Sequence, residues 1–163
     1  MKSDERYNSI IANSEYLALL NSINEYETDR KFCRHGIKHL LDTARIMYII
    51  TLEENLPYSK DIIYAAALLH DIGRYEQYKN GTPHHIAGKR AAEHILPRCG
   101  YSADEAEIIS KAISEHRTPS DDTDSSLGAL LYKADKLSRM CFCCGVKDEC
   151  YWDRELKNEN III

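Results

Sequence analysis

Apolar residues recur along this chain at helical intervals and never in sustained alternation. Ile10, Ile11, Leu17, Leu20 and Ile23 predict a first helix over about residues 4–26. A polar stretch from Glu25 to Lys31 follows. Ile37, Leu40, Leu41, Ala44, Met47 and Tyr48 then keep the i, i+3, i+4, i+7 pattern of a second helix, ended past Leu52 by Asn55-Leu56-Pro57. The apolar run from Ile62 to Leu69 predicts a third helix over about 60–72, with Gly73 as its terminator. Gln77 to Gly81 reads as a polar loop. Thr82-Pro83 reads as a cap plus a first-turn proline, opening a helix that ends near Pro97. Ser102-Ala103-Asp104-Glu105 fits a capping box, and the helix it opens runs through Ile108, Ile109, Ala112 and Ile113 to His116. A loop rich in Asp, Ser, Thr and Pro (117–126) precedes a last strong helix over about 127–140. There is no internal repeat. The expectation is one all-α domain over residues 1–163, a bundle of about six helices with an unassigned cysteine-rich tail at 141–163.

Composition narrows the class. A chain of 163 residues can bury a substantial core, and 44% hydrophobic with 29% charged residues is the balance of a soluble globular protein. The formal charge of −5 argues against general nucleic-acid binding, yet leaves room for a local basic pocket holding one phosphate ester. No apolar stretch approaches the ~20 residues of a membrane span. Met1-Lys2-Ser3-Asp4-Glu5-Arg6 leads into a charged segment without a signal-peptide core, so a cytoplasmic location is expected. Six cysteines (Cys33, Cys99, Cys141, Cys143, Cys144 and Cys150) are then expected as reduced thiols.

The chemistry centres on His70-Asp71, a polar pair closing a buried helix. Burying it is costly unless a partner compensates it, and a divalent metal would. Further donors lie far away in sequence: His35, His39, His84, His116 and Asp135. His35 and His39, four apart, are expected on one face of the second helix. Asp135 is a poor helix-interior residue, and its partly apolar face asks for a partner. Imidazole and carboxylate donors together suit divalent transition metals, and three or four of them with an open position make a catalytic site. Such a site lowers the pKa of bound water from about 15.7 towards ~7, giving a hydroxide able to attack phosphorus. Plainer readings exist residue by residue. His85 and His94 can be surface groups, and Asp135 can pair with Lys136 or Arg139. In the tail, Cys141 and Cys144 have Cys-x-x-Cys spacing, which suits zinc, an iron–sulfur cluster or a redox pair. The alternative is a thiol-bearing segment that packs Phe142, Tyr151 and Trp152 on the bundle.

These segments resemble the HD-domain phosphohydrolase superfamily. Lys38-His39-Leu40-Leu41-Asp42-Thr43-Ala44 matches its first-histidine segment. Ala66-Ala67-Leu68-Leu69-His70-Asp71-Ile72-Gly73-Arg74 matches its His-Asp segment, and Leu131-Tyr132-Lys133-Ala134-Asp135-Lys136-Leu137 its final aspartate segment. The resemblance covers about residues 30–140. It implies a metal site of His39, His70, Asp71 and Asp135 holding Mn, Fe, Ni, Co, Zn or Mg. It also implies a general-acid role for His35, four before the ligand, and a phosphoryl-binding role for Arg74. His84-His85-Ile86-Ala87-Gly88 and Ile113-Ser114-Glu115-His116 resemble the segments that hold a second metal in some members. Arg117 departs from the fullest two-metal pattern, so the second ion stays open, with His84 and His116 otherwise near the substrate. Arg139 and Lys133 are weaker phosphate candidates. The implied function is metal-dependent hydrolysis of a phosphate ester, mono- or diester, of a nucleotide or related small molecule. A non-catalytic nucleotide-sensing module and a di-iron oxygenase are the alternatives. Ile161-Ile162-Ile163 can pack on the domain or on a second copy in a homo-oligomer.

Overall fold

The computed structural model describes residues 5–119, 121 and 123–162. Among them are eight α-helices and no strand: α1 (Tyr7–Ile11), α2 (Ser14–Tyr26), α3 (Ile37–Glu53), α4 (Lys60–Leu69), α5 (Arg74–Asn80), α6 (His84–Arg98), α7 (Ala103–Glu115) and α8 (Leu127–Leu137). Three single-turn 3-10 helices follow at Cys141–Cys143, Lys147–Glu149 and Arg154–Leu156.

The all-helical class stands, but the count exceeds six for two local reasons. The first predicted helix is broken at Asn13. Its backbone is extended, and its side chain accepts the Glu15 and Tyr16 N–H groups at 3.0 and 3.1 Å, so Asn13 caps α2 instead of continuing α1. The predicted start near Asp4 lies outside the described residues, as does Ile163. The second reason is that residues 77–80, expected in a polar loop, belong to α5. That helix carries no buried residue, so it has no apolar stripe to announce it.

Four caps appear as the chemistry dictates. Ser59, Ser102 and Ser126 each accept a backbone N–H at the start of α4, α7 and α8, and Ser102 with Glu105 forms the reciprocal box. Asn55, at φ 54°, takes the left-handed turn that ends α3. Three boundaries differ. α4 ends at Leu69, short of 72, and Gly73 does not terminate it but precedes α5 as its cap residue at φ −70°. Pro83, not Thr82, is the cap residue of α6. The last helix stops at Leu137, short of 140, because the Ser138 hydroxyl donates to the Asp135 carbonyl at 2.7 Å as the chain turns.

α4 is the central element. Ile63, Ala65, Ala66, Ala67, Leu68 and Leu69 are all buried. α4 packs against α3 on one side and α7 on the other, and α6 pairs with α7, while α8 bridges α3 and α7. Each fully buried leucine or isoleucine of this core contributes roughly 1.5–3 kcal/mol over an exposed one. Arg6 fastens the amino-terminal segment to this frame. It donates to Asp61 at 2.6 Å, to both oxygens of Glu105 at 2.7 and 2.6 Å and to the Gly100 carbonyl at 2.8 Å, and it stacks over Tyr101. The tail is tied back onto α8 by Asn158, whose amide donates to the carbonyls of Lys136 and Arg139, each at 2.8 Å. Among the described residues no helix is long and apolar enough to cross a membrane.

Candidate metal centre

The packing of α4 against α3 and α8 decides what His70 and Asp71 meet. His39 Nε2 stands 3.4 Å from His70 Nε2, 3.5 Å from Asp71 Oδ2 and 3.3 Å from Asp135 Oδ1. His70 Nε2 is 3.4 Å from Asp71 Oδ2 and 3.8 Å from Asp135 Oδ1. Four donor atoms from three elements thus surround one point. Cis ligands about 2.1 Å from a metal would be ~3.0–3.4 Å apart in octahedral or tetrahedral geometry, close to this spacing.

A second triad shares the same carboxylate. Asp71 Oδ1 lies 3.4 Å from His84 Nε2 and 3.9 Å from His116 Nε2, and those two nitrogens are 3.3 Å apart. Asp71 therefore turns one oxygen to each donor group. Both oxygens are buried and without a hydrogen-bond partner. Arg74 Nε stands 2.8 Å from Oδ1, but its N–H is not aimed there and is itself unpartnered. Arg74 offsets the charge of this buried carboxylate, but neither oxygen receives a hydrogen bond, and a bound metal would complete both.

The histidine tautomers point the same way. His70 Nδ1 donates to the Ala67 carbonyl at 2.7 Å, and His116 Nδ1 to the Ile113 carbonyl at 2.6 Å. His84 Nδ1 donates to Gln77 Oε1 at 2.6 Å, and His39 Nδ1 is 3.2 Å from the Ser138 hydroxyl. In each ring Nε2 is thereby the nitrogen turned to the donor group, the arrangement that orients imidazole ligands. Burial pushes the pKa of His84 down to about 3 and that of His116 to about 4, so both are neutral at pH 7, the form that ligates. Burial opposes a charge on His70 as well, but Asp71 and Asp135 outweigh it and raise its pKa to about 10. That ring would hold a proton where a metal ion would otherwise sit. Burial raises the Asp71 pKa less than Arg74 and His70 lower it, so the carboxylate stays well below the usual range. The donor set fits a divalent metal.

His35 requires a correction. It does not lie on a helix with His39: Gly36 caps α3, and His35 precedes it in extended chain. The two rings still meet edge to face, 5.5 Å between centroids. Glu27, at the end of α2, holds His35 there. Its carboxylate is 2.5 Å from His35 Nδ1, accepts the His35 backbone N–H at 2.6 Å and accepts the Tyr78 hydroxyl at 2.5 Å. Burial works against a charged Glu27, but these donors hold its pKa down to about 2. Burial also pushes the His35 pKa down, leaving the ring neutral at pH 7.

Over the donors opens a cavity of about 90 Å³ lined by His35, His39, Arg74, Asp135, Lys136 and Arg139, with Trp152 at its edge. The Arg139 guanidinium stacks on Trp152 at 4.4 Å, and its Nη1 is buried without a partner. Lys136 Nζ is 2.5 Å from Asp135 Oδ2, which leaves Oδ1 for the histidines. Lys133 does not join the site. It is half exposed and pairs with Glu54 at 3.2 Å, because it sits two residues before Asp135 and so on another face of α8. His85 belongs to neither donor group, although its ring meets His84 edge to face at 6.1 Å between centroids, and His94 pairs with Glu15 on the surface. Glu27, Tyr78, Gln77 and Ser138 act on the site histidines although nothing in their local sequence marked them.

The HD domain profile matches residues 36–140. The chain belongs to the HD-domain family. A crystal structure titled as a predicted HD superfamily hydrolase, from an uncultured Thermotogales bacterium, superposes with a TM-score of 0.62 at 27% identity, covering 86% of this chain and 80% of that one. A protein of Clostridium beijerinckii to which no function is ascribed is 46% identical over 96% of this chain and 98% of its own length. The "Putative phosphohydrolase YueE" of Bacillus subtilis is 31% identical over 64% of this chain and 66% of its own. The matched span contains all six residues of the two donor groups, His39, His70, Asp71, His84, His116 and Asp135.

Proposed function

We propose that this HD-domain protein is a metal-dependent phosphohydrolase acting on a small phosphate ester, that of a nucleotide or related molecule. The reading is carried by one juxtaposition: a His/Asp donor set whose buried Asp71 oxygens lack hydrogen-bond partners, beneath a cavity whose other charged side chains, Arg30, Arg74, Lys136 and Arg139, are cationic. Divalent metal bound by His39, His70, Asp71 and Asp135 would supply Lewis-acid charge and an acidified water. The two oxygens of Asp71 and the Nε2 atoms of His84 and His116 suit a second ion. Arg74 and Arg139 bind phosphoryl oxygens, since Arg139 Nη1 is a buried donor with no acceptor of its own. His35, fixed by Glu27, delivers a proton to the leaving oxygen. An anionic phosphoryl group in the cavity raises the pKa of His35 and so protonates it for that step. Glu27 is a positioning residue, not a reacting one.

The test is a screen of phosphate mono- and diesters with Mn, Fe, Co, Ni, Zn and Mg, with His70→Ala as control. Turnover that depends on metal and is lost in His70→Ala supports the proposal. Nucleotide binding without turnover under every metal would favour a sensing module. Turnover unchanged in His70→Ala would remove the reaction from this site.

A further inference from the structure

Five of the six cysteines gather around one groove of about 700 Å³ that adjoins the metal centre and shares His39 with it. Four of them come from the tail. The fifth, Cys33, comes from the segment before α3, more than a hundred residues away in sequence. The two segments are fastened together. Lys31 forms an ion pair with Glu149, and Phe32 meets Tyr151 edge to face at 5.8 Å. Lys157 donates to the carbonyls of Lys147 and Cys150 at 3.0 and 3.3 Å, which fixes the turn leading into Cys150. All these thiols are free.

The five are not equivalent. Cys143 Sγ has a partner, the Met140 carbonyl at 3.5 Å. The other four are Cys33, Cys141, Cys144 and Cys150, and the last three follow the spacing Cys-x2-Cys-x5-Cys. The Cys33 thiol is raised in pKa first by burial and then by the charges of Cys141, Cys150 and Cys144, while Arg139 pulls it down, so these groups share one electrostatic neighbourhood. Among the described residues, no three of these sulfurs lie within 4.8 Å of one another. Four thiolates on one zinc ion would be about 3.8 Å apart, from Zn–S ~2.3 Å and a tetrahedron. The thiols are thus not gathered as one tetrahedral ion would hold them, and a polynuclear centre, whose cysteines bind different iron atoms, does not require that they be. Arg139 and Lys157 also line the groove, and neither has a carboxylate partner among the described residues, so positive charge is at hand for a thiolate-rich anion.

We infer that Cys33, Cys141, Cys144 and Cys150 hold an iron–sulfur cluster, a second metal centre distinct from the His/Asp site. Iron in ferrous and ferric form and inorganic sulfide come from solution. Each thiol gives up its proton as its S–Fe bond forms, so four protons are released. The cluster clamps the tail to the segment before α3. That clamp holds Trp152 and Arg139, the outer wall of the cavity over the His/Asp donors.

The experiment is anaerobic purification of the full-length protein, before and after reconstitution with iron and sulfide, with iron, zinc, acid-labile sulfide and visible absorption measured per chain. Sulfide separates this centre from the His/Asp site, which binds iron without it. Two or four sulfides per chain, with matching iron and visible charge-transfer absorption, are expected from a four-cysteine cluster. Cys33→Ser should lose the sulfide, Cys143→Ser should keep it, and His70→Ala should lose only metal that sulfide does not accompany. Reconstituted wild-type protein without sulfide, or with zinc alone on these thiols, overturns the assignment. Full sulfide in Cys33→Ser also overturns it, and circular dichroism reports whether that variant is folded.

Discussion

Gly73→Ala tests whether backbone contact sets the distance between the His70-Asp71 turn and α6. A Cβ at this position would stand 2.1 Å from the His84 carbonyl oxygen, 2.3 Å from the Gly88 nitrogen and 2.9 Å from the Ala87 carbonyl carbon. Side-chain Cβ atoms do not approach other atoms below 3.0 Å, so α6 must retreat by about 0.9 Å, the difference between 3.0 and 2.1 Å. The obstructing atoms are backbone and cannot swing aside as a side-chain tip can. Overpacking of this kind costs ~1–3 kcal/mol, and a backbone clash belongs at the upper end. At ~2–4 °C per kcal/mol for a chain of this size, the melting temperature should fall by about 5–10 °C. The retreat also carries His84, the first residue of α6, whose Nε2 is 3.4 Å from Asp71 Oδ1. Metal sites tolerate errors of only ~0.2 Å. The assay is thermal melting by circular dichroism together with metal content by mass spectrometry. Gly145→Ala is the control, since a Cβ there meets nothing within 4 Å. If Gly73→Ala melts with the wild type and holds as much metal, the contact is compliant and the argument from it is wrong.

Asp71→Asn should abolish binding at both donor groups, whereas His84→Ala should spare the ion held by His39, His70 and Asp135. Titration with manganese followed by mass spectrometry separates the two, and equal loss in both variants would mean one indivisible site. Glu27→Gln should lower kcat by roughly 10–100-fold with little change in KM or metal content, because it acts through His35; a KM effect alone would place Glu27 in substrate binding. Arg6→Ala should cost about 2–4 kcal/mol in urea unfolding, since it leaves the carboxylate of Asp61 buried without its cation. Its pH dependence has a definite sign. The hydrogen bonds from Arg6 lower the Glu105 pKa from 4.5 to about 2, so this stabilisation is complete above about 4.5 and is lost as pH falls through about 2. The gap between wild type and Arg6→Ala should therefore narrow over that interval, and a gap that widens would refute the pairing.

Much of the metal centre is legible in one dimension. The pair His70-Asp71 ends a run too apolar to be exposed, and Asp135 sits where a helix interior disfavours it, so burial physics alone flags both. Local signals also specify the cap at Ser102, because a cap is a contact between near neighbours. Contacts between segments are another matter. His35 keeps its place beside His39 without sharing a helix, because Glu27 of α2 and Tyr78 of α5 grip it from two sides. Lys133 is a candidate in sequence and Arg139 another, yet helical phase puts Lys133 on Glu54 and Arg139 on the cavity over the donors. Helix α5 escapes notice because it buries nothing, so hydrophobic periodicity has nothing to report. The Cys-x2-Cys-x5-Cys spacing marks the tail as unusual, but only the fold adds Cys33. Sequence alone determines which residues are costly to bury and which apolar-striped segments are helical, since both are local energies. Which of those residues converge, and that Asp71 faces two donor groups at once, was decided by the packing of α4 against α3, α6, α7 and α8.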